Sequence, residues 1–371
     1  MARRKKTPRY TGGGKRRVGG IPFHMRHRKI IVGLMTVALV VGFAGTSYAY
    51  LLNSKFNSIN HVSTDKLKDR PDPDKGKALN VLMIGSDKGK KLGTATDDTT
   101  LEQDAAAPKW PNGKYRSDTL IIVHISADRR HVYLVSIPRD SFMTMYDAGG
   151  NATHKEKVNA AFSYYGPTGT ISTIEHLTDL RMGHLAIIDW NGFKDLSAAV
   201  GGVPVYIPTT FTDPKQHKTW TKGDHLLEGN EALQYVRTRY GLLNGDFDRI
   251  ARQQNFLRAL MKKMLSKGTM SNPLKLTNTL GALTKNLTVD AEWDTRDMRA
   301  LALSMRGIQA DNVTFMTIPV AGISTDPTYG SVVNINEAQS QELFAALKED
   351  SIEDYLKKYP DAALKPPEEV H

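Results

Sequence analysis

Two β-rich runs joined by a short polar turn make up the stretch TLIIVHISADRRHVYLVSIPRD, residues 119–140. Both runs are rich in β-branched and aromatic residues, so the stretch predicts a hairpin or a tight strand pair. A compact apolar run, LNVLMIGSD at 79–87, precedes it and is typical of a buried strand that ends in a site loop. A long polar loop, 88–117, is expected between them.

Outside these strands, helical and strand patterns alternate. KEKVNAAFSYY, TGTISTIEHLTDL and NGFKDLSAAV have helical periodicity, whereas HLAIID and VPVYIP have strand character. A further helix starts near Asp248 and ends near Gly268, and residues 271–350 add more helices and one strand, VTFMTIPV. The alternation predicts a layered α/β fold, an α-β-α domain with a mixed central sheet.

The positive charge of the chain is concentrated at its N-terminus. The net charge is +11, but residues 1–29 hold eleven Lys or Arg and no acid, and removing them leaves 39 basic against 39 acidic residues. The uncharged run 30–52 that follows is long enough to cross a hydrocarbon core of about 30 Å as a helix. The basic flank predicts a cytoplasmic tail, a signal-anchor helix at 30–52 and an extracytoplasmic remainder in the cell membrane. A signal peptide cleaved after Ala49 is the alternative.

The rest of the chain divides by composition. Residues 53–78 are polar and predict a stalk, and 79–265 hold the predicted catalytic core. Residues 266–358 are expected to complete that domain with helices and a strand. The Pro-rich and charged segment 359–371 is expected to be a flexible tail.

Several chemistries lack their signatures. GGGKRR in the basic tail lacks the Walker spacing and no strand precedes it, so no nucleic-acid partner is expected. The chain has no cysteine, which excludes disulfides, thiol nucleophiles and zinc-thiolate sites. It also has no G-x-S-x-G, H-E-x-x-H or G-x-G-x-x-G motif of the hydrolase, zinc-protease or Rossmann type.

An arginine-rich segment, YVRTRYGLLNGDFDRIARQQ at 235–254, indicates an anion site. Arg237 and Arg239 share a face if the chain is extended there, and Arg249 lies one turn before Gln253 at the start of the next helix. With the free N–H groups of that helix, these side chains form a receptor for phosphate or pyrophosphate. In the alternative interpretation the arginines form ordinary surface ion pairs with Glu231, Asp246 and Asp248.

A second charged set lies at the ends of the apolar strands, where α/β sheets gather their sites. It consists of Asp87, Arg116, Asp118, Arg139 and Asp140. Two carboxylates beside a polyanion repel it unless a cation lies between them, so Asp87 and Asp118 suggest a hard ion such as Mg²⁺. Alternatively, each aspartate caps a turn or a helix.

In their order along residues 79–265, these motifs resemble the LytR-CpsA-Psr (LCP) family of bacterial cell-wall enzymes, and the long basic tail resembles actinobacterial members. The resemblance implies a phosphotransferase that moves a glycopolymer, with one phosphate, from a polyprenyl pyrophosphate carrier to a muramic acid hydroxyl of peptidoglycan. The motifs that carry it are VLMIGSD, YRSDTLIIVHI, VSIPRDS, KVNAAFSYYG, GGVPV, LLEGNEALQYVRTR and DFDRIARQQ.

The resemblance also assigns roles by position. Asp87 and Asp118 match the Mg²⁺-linked aspartates of the family. Asp246 matches the acidic residue that precedes the arginine of the later motif, DFDRIARQQ. The loop after Asp87 is longer than the family pattern, and its extra aspartates bear on the metal assignment. Asp118 and Asp246 are both candidates for the general base, with Arg139 as a catalytic arginine. The positions implied to bind the pyrophosphate are Arg116, Arg139, Arg237, Arg239, Arg249 and Gln253.

Three other functions remain open at this stage. A pyrophosphatase on the same scaffold would use water in place of the sugar hydroxyl. A membrane-bound regulator, such as a transcriptional attenuator, would not need the external arginines. A carrier-binding domain without turnover would keep the arginines and tolerate loss of the carboxylates.

Overall fold

A computed structural model describes residues 54–74, 76–88, 100–238 and 246–370. The predicted basic tail at 1–29 and the predicted anchor helix at 30–52 lie outside these residues. Within the described ranges, no helix is both long and apolar enough to span a membrane.

A seven-stranded sheet forms the centre of the described chain, in the order β1-β12-β7-β2-β3-β4-β13. Neighbouring strands are parallel for β1/β12, β7/β2 and β4/β13 and antiparallel for the other three pairs, so the sheet is mixed, as predicted. The remaining strands form four two-stranded ribbons. The strands are β1 (Asn60–Val62), β2 (Leu79–Lys88), β3 (Tyr115–Ile125), β4 (Val132–Ile137), β5 (Phe142–Tyr146), β6 (Ala152–Lys157), β7 (His184–Asp189), β8 (Val203–Ile207), β9 (Phe211–Asp213), β10 (Lys218–Trp220), β11 (Gly223–Leu227), β12 (Leu287–Asp290), β13 (Val313–Thr317), β14 (Val320–Asp326) and β15 (Gly330–Ile335).

Helices cover both faces of this sheet. They are α1 (Leu101–Ala106), α2 (Asn159–Thr178), α3 (Trp190–Ala199), α4 (Gly229–Arg237), α5 (Asp246–Met264), α6 (Lys267–Met270), α7 (Pro273–Lys285), α8 (Thr295–Ser304), α9 (Glu337–Lys348) and α10 (Ile352–Lys358). Short 3-10 helices occur at Ala310–Asn312, Pro360–Ala362 and Pro367–Glu369.

Alternate residues of the central strands enter different cores. On β3, Leu120 and Ile122 pack in one cluster with α2, α9 and α10, whereas Ile121 packs in another with residues of α5 and α8. Side chains of a strand point to opposite faces in turn, so the stretch 120–123 of β3 is continuously apolar because both faces of the strand are covered there. The predicted layered α-β-α arrangement and the predicted β3–β4 hairpin are confirmed.

Two segments expected to lie outside the folded domain are part of it. Three residues of the predicted stalk form β1, the edge strand beside β12, and Arg70 makes an ion pair of 2.6 Å with the buried Glu175. In the predicted flexible tail, the Leu364 amide donates to the Phe315 carbonyl at 2.7 Å, and Val370 is buried. Both predictions were wrong because contacts with β12, α2 and β13, distant in the sequence, fix these segments, which have no apolar periodicity of their own.

Three other details differ from the sequence prediction. The two helical patterns within 155–180 join into α2 across a kink at Gly166, where φ is +67°, and Pro167. The segment 271–350 contributes four strands, β12 to β15, rather than one. Of the central strands outside 79–265, β12 and β13 come from 266–358, the segment expected to complete the domain, whereas β1 comes from the predicted stalk.

Candidate active site

A β-bulge near the start of β3 determines the position of Asp118. Gly85 of β2 lies opposite Thr119, and the next pair is Ser86 with Ser117, so Asp118 has no pairing partner on β2. A bulge leaves its extra residue out of the ladder and turns that side chain away from its regular direction. The carboxylate of Asp118 is therefore presented to solvent-filled clefts at the end of the sheet.

An ion-pair chain links Asp118 to the loop after β4. Arg139 Nη1 donates to Asp118 Oδ1 at 2.8 Å, and Arg139 Nε lies 3.4 Å from Asp140 Oδ2. Lys157 Nζ, at the end of β6, lies 3.6 Å from Asp140 Oδ1. Asp118 Oδ2 takes part in no hydrogen bond or ion pair with the described residues. The chain of alternating charges holds Arg139 in place and leaves one carboxylate oxygen of Asp118 open.

The adjoining ends of α4 and α5 bring the arginine-rich segment to the same place. Arg237 is the last residue of α4, and its guanidinium carbon lies 5.1 Å from the centre of the Trp190 ring. Gln253 Nε2 donates to the Val236 carbonyl at 3.2 Å, which ties α5 to the C-terminal end of α4. Arg249, in the first turn of α5, is only 3% exposed and lines the same cleft.

Two clefts meet at Asp118 and Arg237. The first, of about 670 Å³, is lined by those two residues together with Trp190, Arg249 and Gln253. The second, of about 460 Å³, adds Arg116, Arg139, Asp140, Glu156, Lys157, Tyr164 and Tyr329. Five of the lining side chains in the described chain are cationic and three are carboxylates, so the combined site carries a net positive charge. Such a site favours a compact polyanion.

An apolar cavity of about 330 Å³ adjoins the first cleft. It lies between the sheet and α5, and Trp190 and Gln253 line both spaces. Its wall is almost entirely hydrocarbon, from Met83, Val123, Leu134, Ala186, Phe193, Leu257, Leu260, Met261, Met264, Leu283 and Leu287. The site thus combines a charged region with an adjoining apolar one.

The alternative interpretation, in which the arginines lie at the surface, is wrong in that location for the arginines of α5. Arg249 and Arg252 are buried, and Glu231 pairs with Lys218 at 2.8 Å instead. Arg252 points away from the clefts, where its guanidinium carbon lies 4.2 Å from the Phe211 ring centre. Burial lowers the pKa of Arg252 below its usual value. Arg252 therefore helps to hold α5 in place, and Arg249 is the arginine of this helix that lines the anion cleft.

Three predicted site residues lie partly or wholly outside what the structure describes. Asp87 belongs to β2 and pairs with Arg116 of β3, two residues from Asp118, but its side chain lies outside what the structure describes. The same holds for the side chain of Asp246, the first residue of α5, and Arg239 lies outside the described residues altogether. Among the described side chains, no group of three or more His, Asp or Glu could hold a metal ion.

Some residues of the site have little or no signal in the sequence. Trp190 follows the strand β7 and begins α3, whose N-cap Asp189 accepts from the Gly192 amide at 2.7 Å. An aromatic residue at such a strand-to-helix junction could have been singled out. Tyr329, from the turn between β14 and β15, enters the second cleft from a distant part of the chain, and nothing local to its sequence indicates this.

Comparison with known proteins identifies the family. A model of the LytR_cpsA_psr family matches residues 46–349. The chain belongs to this family. The resemblance in the sequence motifs is thereby confirmed, and the cleft and cavity described above are those of an LCP domain.

Relatives of this LCP protein include cell-wall proteins of Corynebacterium glutamicum. It is 31% identical to the probable cell wall biosynthesis protein LcpB over 93% of this chain and 77% of the relative. It is also 31% identical to the cell wall biosynthesis protein LcpA, over 72% of this chain, and spans about half (55%) of that protein's length. These two relatives support the expected actinobacterial affinity.

Enzymes also occur among the relatives and solved structures. The polyisoprenyl-teichoic acid–peptidoglycan teichoic acid transferase TagU of Enterococcus faecalis is 29% identical over 75% of this chain and 82% of that protein. The crystal structure of Bacillus subtilis TagV has a TM-score of 0.58 and 25% identity, covering 75% of this chain and 98% of that structure. At the family level, the expected transferase class is confirmed by these relatives.

Proposed function

We propose that this LCP protein is a Mg²⁺-dependent phosphotransferase that moves a glycopolymer from a polyprenyl pyrophosphate carrier to peptidoglycan. The donor would have three parts: a lipid, a pyrophosphate and a glycan. An enzyme for it needs an apolar space, a cationic cleft and an open side for the polymer, in that order.

The observation that carries this proposal is the junction of the cationic cleft with the apolar cavity. Trp190 and Gln253 line both spaces, so a ligand can contact the arginines and the hydrocarbon wall at the same time. A soluble phosphorylated sugar has no apolar part to contact the hydrocarbon wall, and a simple lipid has no phosphate to contact the arginines. An isoprenoid pyrophosphate matches both. The printed activity of the E. faecalis relative, a polyisoprenyl-linked donor with a peptidoglycan acceptor, supports the same assignment.

The reaction follows from the charges around the clefts. An acceptor hydroxyl oxygen attacks the phosphorus next to the glycan and forms a new P–O bond, and the P–O bond to the polyprenyl phosphate breaks. The hydroxyl loses its proton, and the departing polyprenyl phosphate takes the bonding electron pair. Negative charge grows on the equatorial and leaving oxygens, where Arg139, Arg237 and Arg249 can donate hydrogen bonds.

Asp118 is the carboxylate best placed to act on the acceptor. It lines both clefts, and its free Oδ2 can accept a proton while Oδ1 keeps Arg139 oriented. Asp246 stays the alternative base that the family pattern suggests. Variants of Asp118 and Asp246 distinguish these candidates, because loss of the general base lowers kcat with little change in donor affinity.

The donor set around Asp118 is compatible with Mg²⁺. This ion keeps several waters and is bound by one or two carboxylates plus substrate phosphates, so a cluster of three acidic side chains is not required. Asp118 offers an open carboxylate oxygen, and Asp87 lies on the adjacent strand, opposite Arg116. Asp87 and Asp118 Oδ2 would hold the ion if Asp246 is the base, whereas Asp87 alone would hold it if Asp118 Oδ2 accepts the proton. In either case the charge of the ion would neutralise the phosphate oxygens of the bound donor.

The second cleft suits the acceptor. It is reached from Asp118 and Arg237 and carries two tyrosines, Tyr164 and Tyr329, with Glu156 and Lys157. Aromatic rings and hydrogen-bonding charged groups are the usual surfaces for binding sugars and short peptides. Because the apolar cavity adjoins only the first cleft among the described spaces, the donor and acceptor would approach Asp118 from different sides.

The proposed location is the outer face of the cell membrane. The uncharged run 30–52 would anchor the chain as a single-pass helix with the basic tail in the cytoplasm. An external protease added to intact cells should remove an epitope tag placed after His371 and spare one placed before Met1. Protection of the C-terminal tag would contradict this topology.

The test uses the full-length chain in detergent, a short glycan on polyprenyl pyrophosphate, peptidoglycan oligomers and Mg²⁺. We expect mass spectrometry to detect a phosphate-linked glycan–peptidoglycan adduct and free polyprenyl phosphate, and EDTA to abolish both. Arg249→Lys should lower the rate by roughly 10- to 1000-fold, because lysine cannot donate the paired hydrogen bonds of a guanidinium. Arg258→Lys is the matched control on the same helix, since Arg258 bonds to Asn255 and the Lys365 carbonyl outside the clefts.

Each alternative function has its own result in this assay. Donor hydrolysis without an adduct would identify a pyrophosphatase. Tight donor binding without turnover would identify a carrier-binding domain. Absence of binding together with full activity of the cell-wall pathway in an Arg249→Lys strain would favour a regulator. Equal rates for the Arg249 and Arg258 variants would remove the arginine cleft from the mechanism.

A further inference from the structure

A long part of the chain beyond the anion cleft has only positive charges. Residues 249–289 contain no Asp or Glu. Four lysines from the end of α5, from α6 and from α7 form no ion pair with an acidic residue of the described chain. They are Lys262, Lys263, Lys267 and Lys275, of which all but Lys263 are exposed. Outside the basic tail the chain is electrically balanced only as a whole, and this concentration of cations is complementary to an anionic partner.

Exposed apolar side chains lie among these lysines. Leu274, at the start of α7, is 71% exposed, and Met270, at the end of α6, is 48% exposed. These six residues lie within 262–275, on three successive helices, each of which contacts the next, and we call this set the lysine-rich face. Long apolar side chains within a cationic segment are typical of surfaces that enter the boundary between headgroups and acyl chains.

The segments that carry the lysine-rich face also form part of the wall of the apolar cavity. Met261 and Met264 of α5 and Leu283 of α7 line the cavity, together with Leu287 of β12. Turns of α5 and α7 thus have apolar side chains on the cavity, and the same helices and α6 expose the lysines. A lipid that passes from a bilayer at this face into the cavity would therefore pass beside these helices.

We infer that the lysine-rich face docks the domain onto an anionic lipid bilayer and holds the cavity wall close to the membrane surface. This inference rests on the proposed function, because an isoprenoid donor must leave the bilayer to reach the cavity. Each lysine near an anionic surface contributes roughly fivefold to the association constant. Four lysines and two apolar side chains would therefore bias a membrane-tethered domain strongly towards this orientation.

A bilayer fits this face better than a soluble polyanion does. An anionic glycopolymer could neutralise the lysines, but it would leave Leu274 and Met270 in water. The acyl region of a bilayer accepts both residues while the lysine amines stay at the headgroup phosphates. The two partners are separable by a probe that responds to acyl chains alone.

The absence of cysteine makes a single-site probe possible in the full-length protein. Leu274→Cys is labelled with an environment-sensitive fluorophore, and the chain is reconstituted in vesicles of phosphatidylglycerol and phosphatidylcholine that contain a nitroxide-labelled acyl chain. The matched control is Ile323→Cys, because Ile323 is also apolar and is 57% exposed, on β14. We expect a blue shift and acyl-chain quenching at residue 274 and neither at residue 323.

The charges are tested with the same label. Changing all four lysines to Gln should reduce quenching at residue 274 by at least roughly twofold, with vesicles of phosphatidylcholine alone giving a similar loss. A residue 274 label that is quenched no more than the one at residue 323 would overturn the inference. So would a label insensitive to acyl-chain nitroxides that responds only to added soluble polyphosphate.

Failure of this inference is distinguishable from failure of the proposed function. The labelled proteins are also assayed in detergent with a short-chain donor, which needs no bilayer. Adduct formation without quenching at residue 274 would refute membrane docking and keep the transferase. Quenching without any donor turnover would refute the transferase and keep the docking surface.

Discussion

Replacing Asp118 with Asn separates a chemical role of its carboxylate from a purely structural one. Asn has nearly the same volume and can still accept the hydrogen bond that Arg139 Nη1 makes at 2.8 Å. The ion pair would become a hydrogen bond from the charged guanidinium to a neutral amide oxygen, which is weaker by roughly 0.5–2 kcal/mol. If orienting Arg139 were the only role of Asp118, the loss of roughly 0.5–2 kcal/mol would slow the reaction by about 2- to 30-fold.

A carboxylate that accepts the proton or binds Mg²⁺ predicts a larger effect. Loss of a general base costs about 10²–10⁴ in rate, so we expect kcat of Asp118→Asn to fall at least 100-fold. If Asp118 acts as the base, the donor KM should stay the same or decrease, because one negative charge is removed beside an anionic ligand. If it binds Mg²⁺ instead, the Mg²⁺ concentration that gives half the maximal rate should rise. The assay is the initial rate of adduct formation by the full-length chain, measured over a range of donor and Mg²⁺ concentrations.

Two further variants serve as a control for loss of a carboxylate and as a test of the contact with Arg139. Asp128→Asn, in the turn between β3 and β4, removes a carboxylate that bonds to Ser126 outside the clefts and should leave kcat unchanged. Asp118→Ala also releases Arg139 and should be slower than, or equal to, Asp118→Asn. The reasoning is refuted if Asp118→Asn stays within 30-fold of the wild type while Asp118→Ala loses far more, because Asp118 would then only orient Arg139.

Three other changes test the apolar cavity, the hydrogen bonds from Gln254 of α5 to strands β4 and β13, and the buried His124. Ala186→Phe, which fills the apolar cavity, should raise KM for a long-chain donor and spare a short-chain one; equal changes would argue against lipid binding. Gln254→Leu should lower the free energy of unfolding by about 1–3 kcal/mol in urea titrations, since Nε2 donates to Ser136, Thr317 and the Met316 carbonyl. Burial lowers the pKa of His124, so the unfolded chain protonates first and stability should fall as pH drops below about 6.5. His124→Asn should flatten that decline, and identical pH profiles for variant and wild type would contradict it.

Local patterns predicted the elements whose residues suffice to define them. The β3–β4 hairpin was predicted because its two apolar runs and polar turn are contiguous, and α5 because its apolar stripe spans several turns. The edge strand β1 was missed because only Val62 of its three residues is buried. Its strand geometry comes from pairing with β12, more than 200 residues later in the chain.

For the candidate site, the sequence predicted which residues belong to it but not how they contact one another. Asp118, Arg139, Arg237, Arg249 and Gln253 were all identified from motif positions, and the structure brings them together. The contacts among them were not predictable, because the bulge that frees Asp118 depends on the register between β2 and β3. Burial of Arg252 beside Phe211 likewise depends on β9, which no local pattern connects to α5.

The sequence by itself determined the family, the alternation of strands and helices, the charged residues of the site and the uncharged run at 30–52. These features rest on residue types and spacings that act over a few turns or strand pairs. Only the tertiary structure decided that the anion cleft adjoins an apolar cavity. That contact depends on Trp190 and Gln253, from two distant helices, lining both spaces, and long-range packing has no signature within either segment.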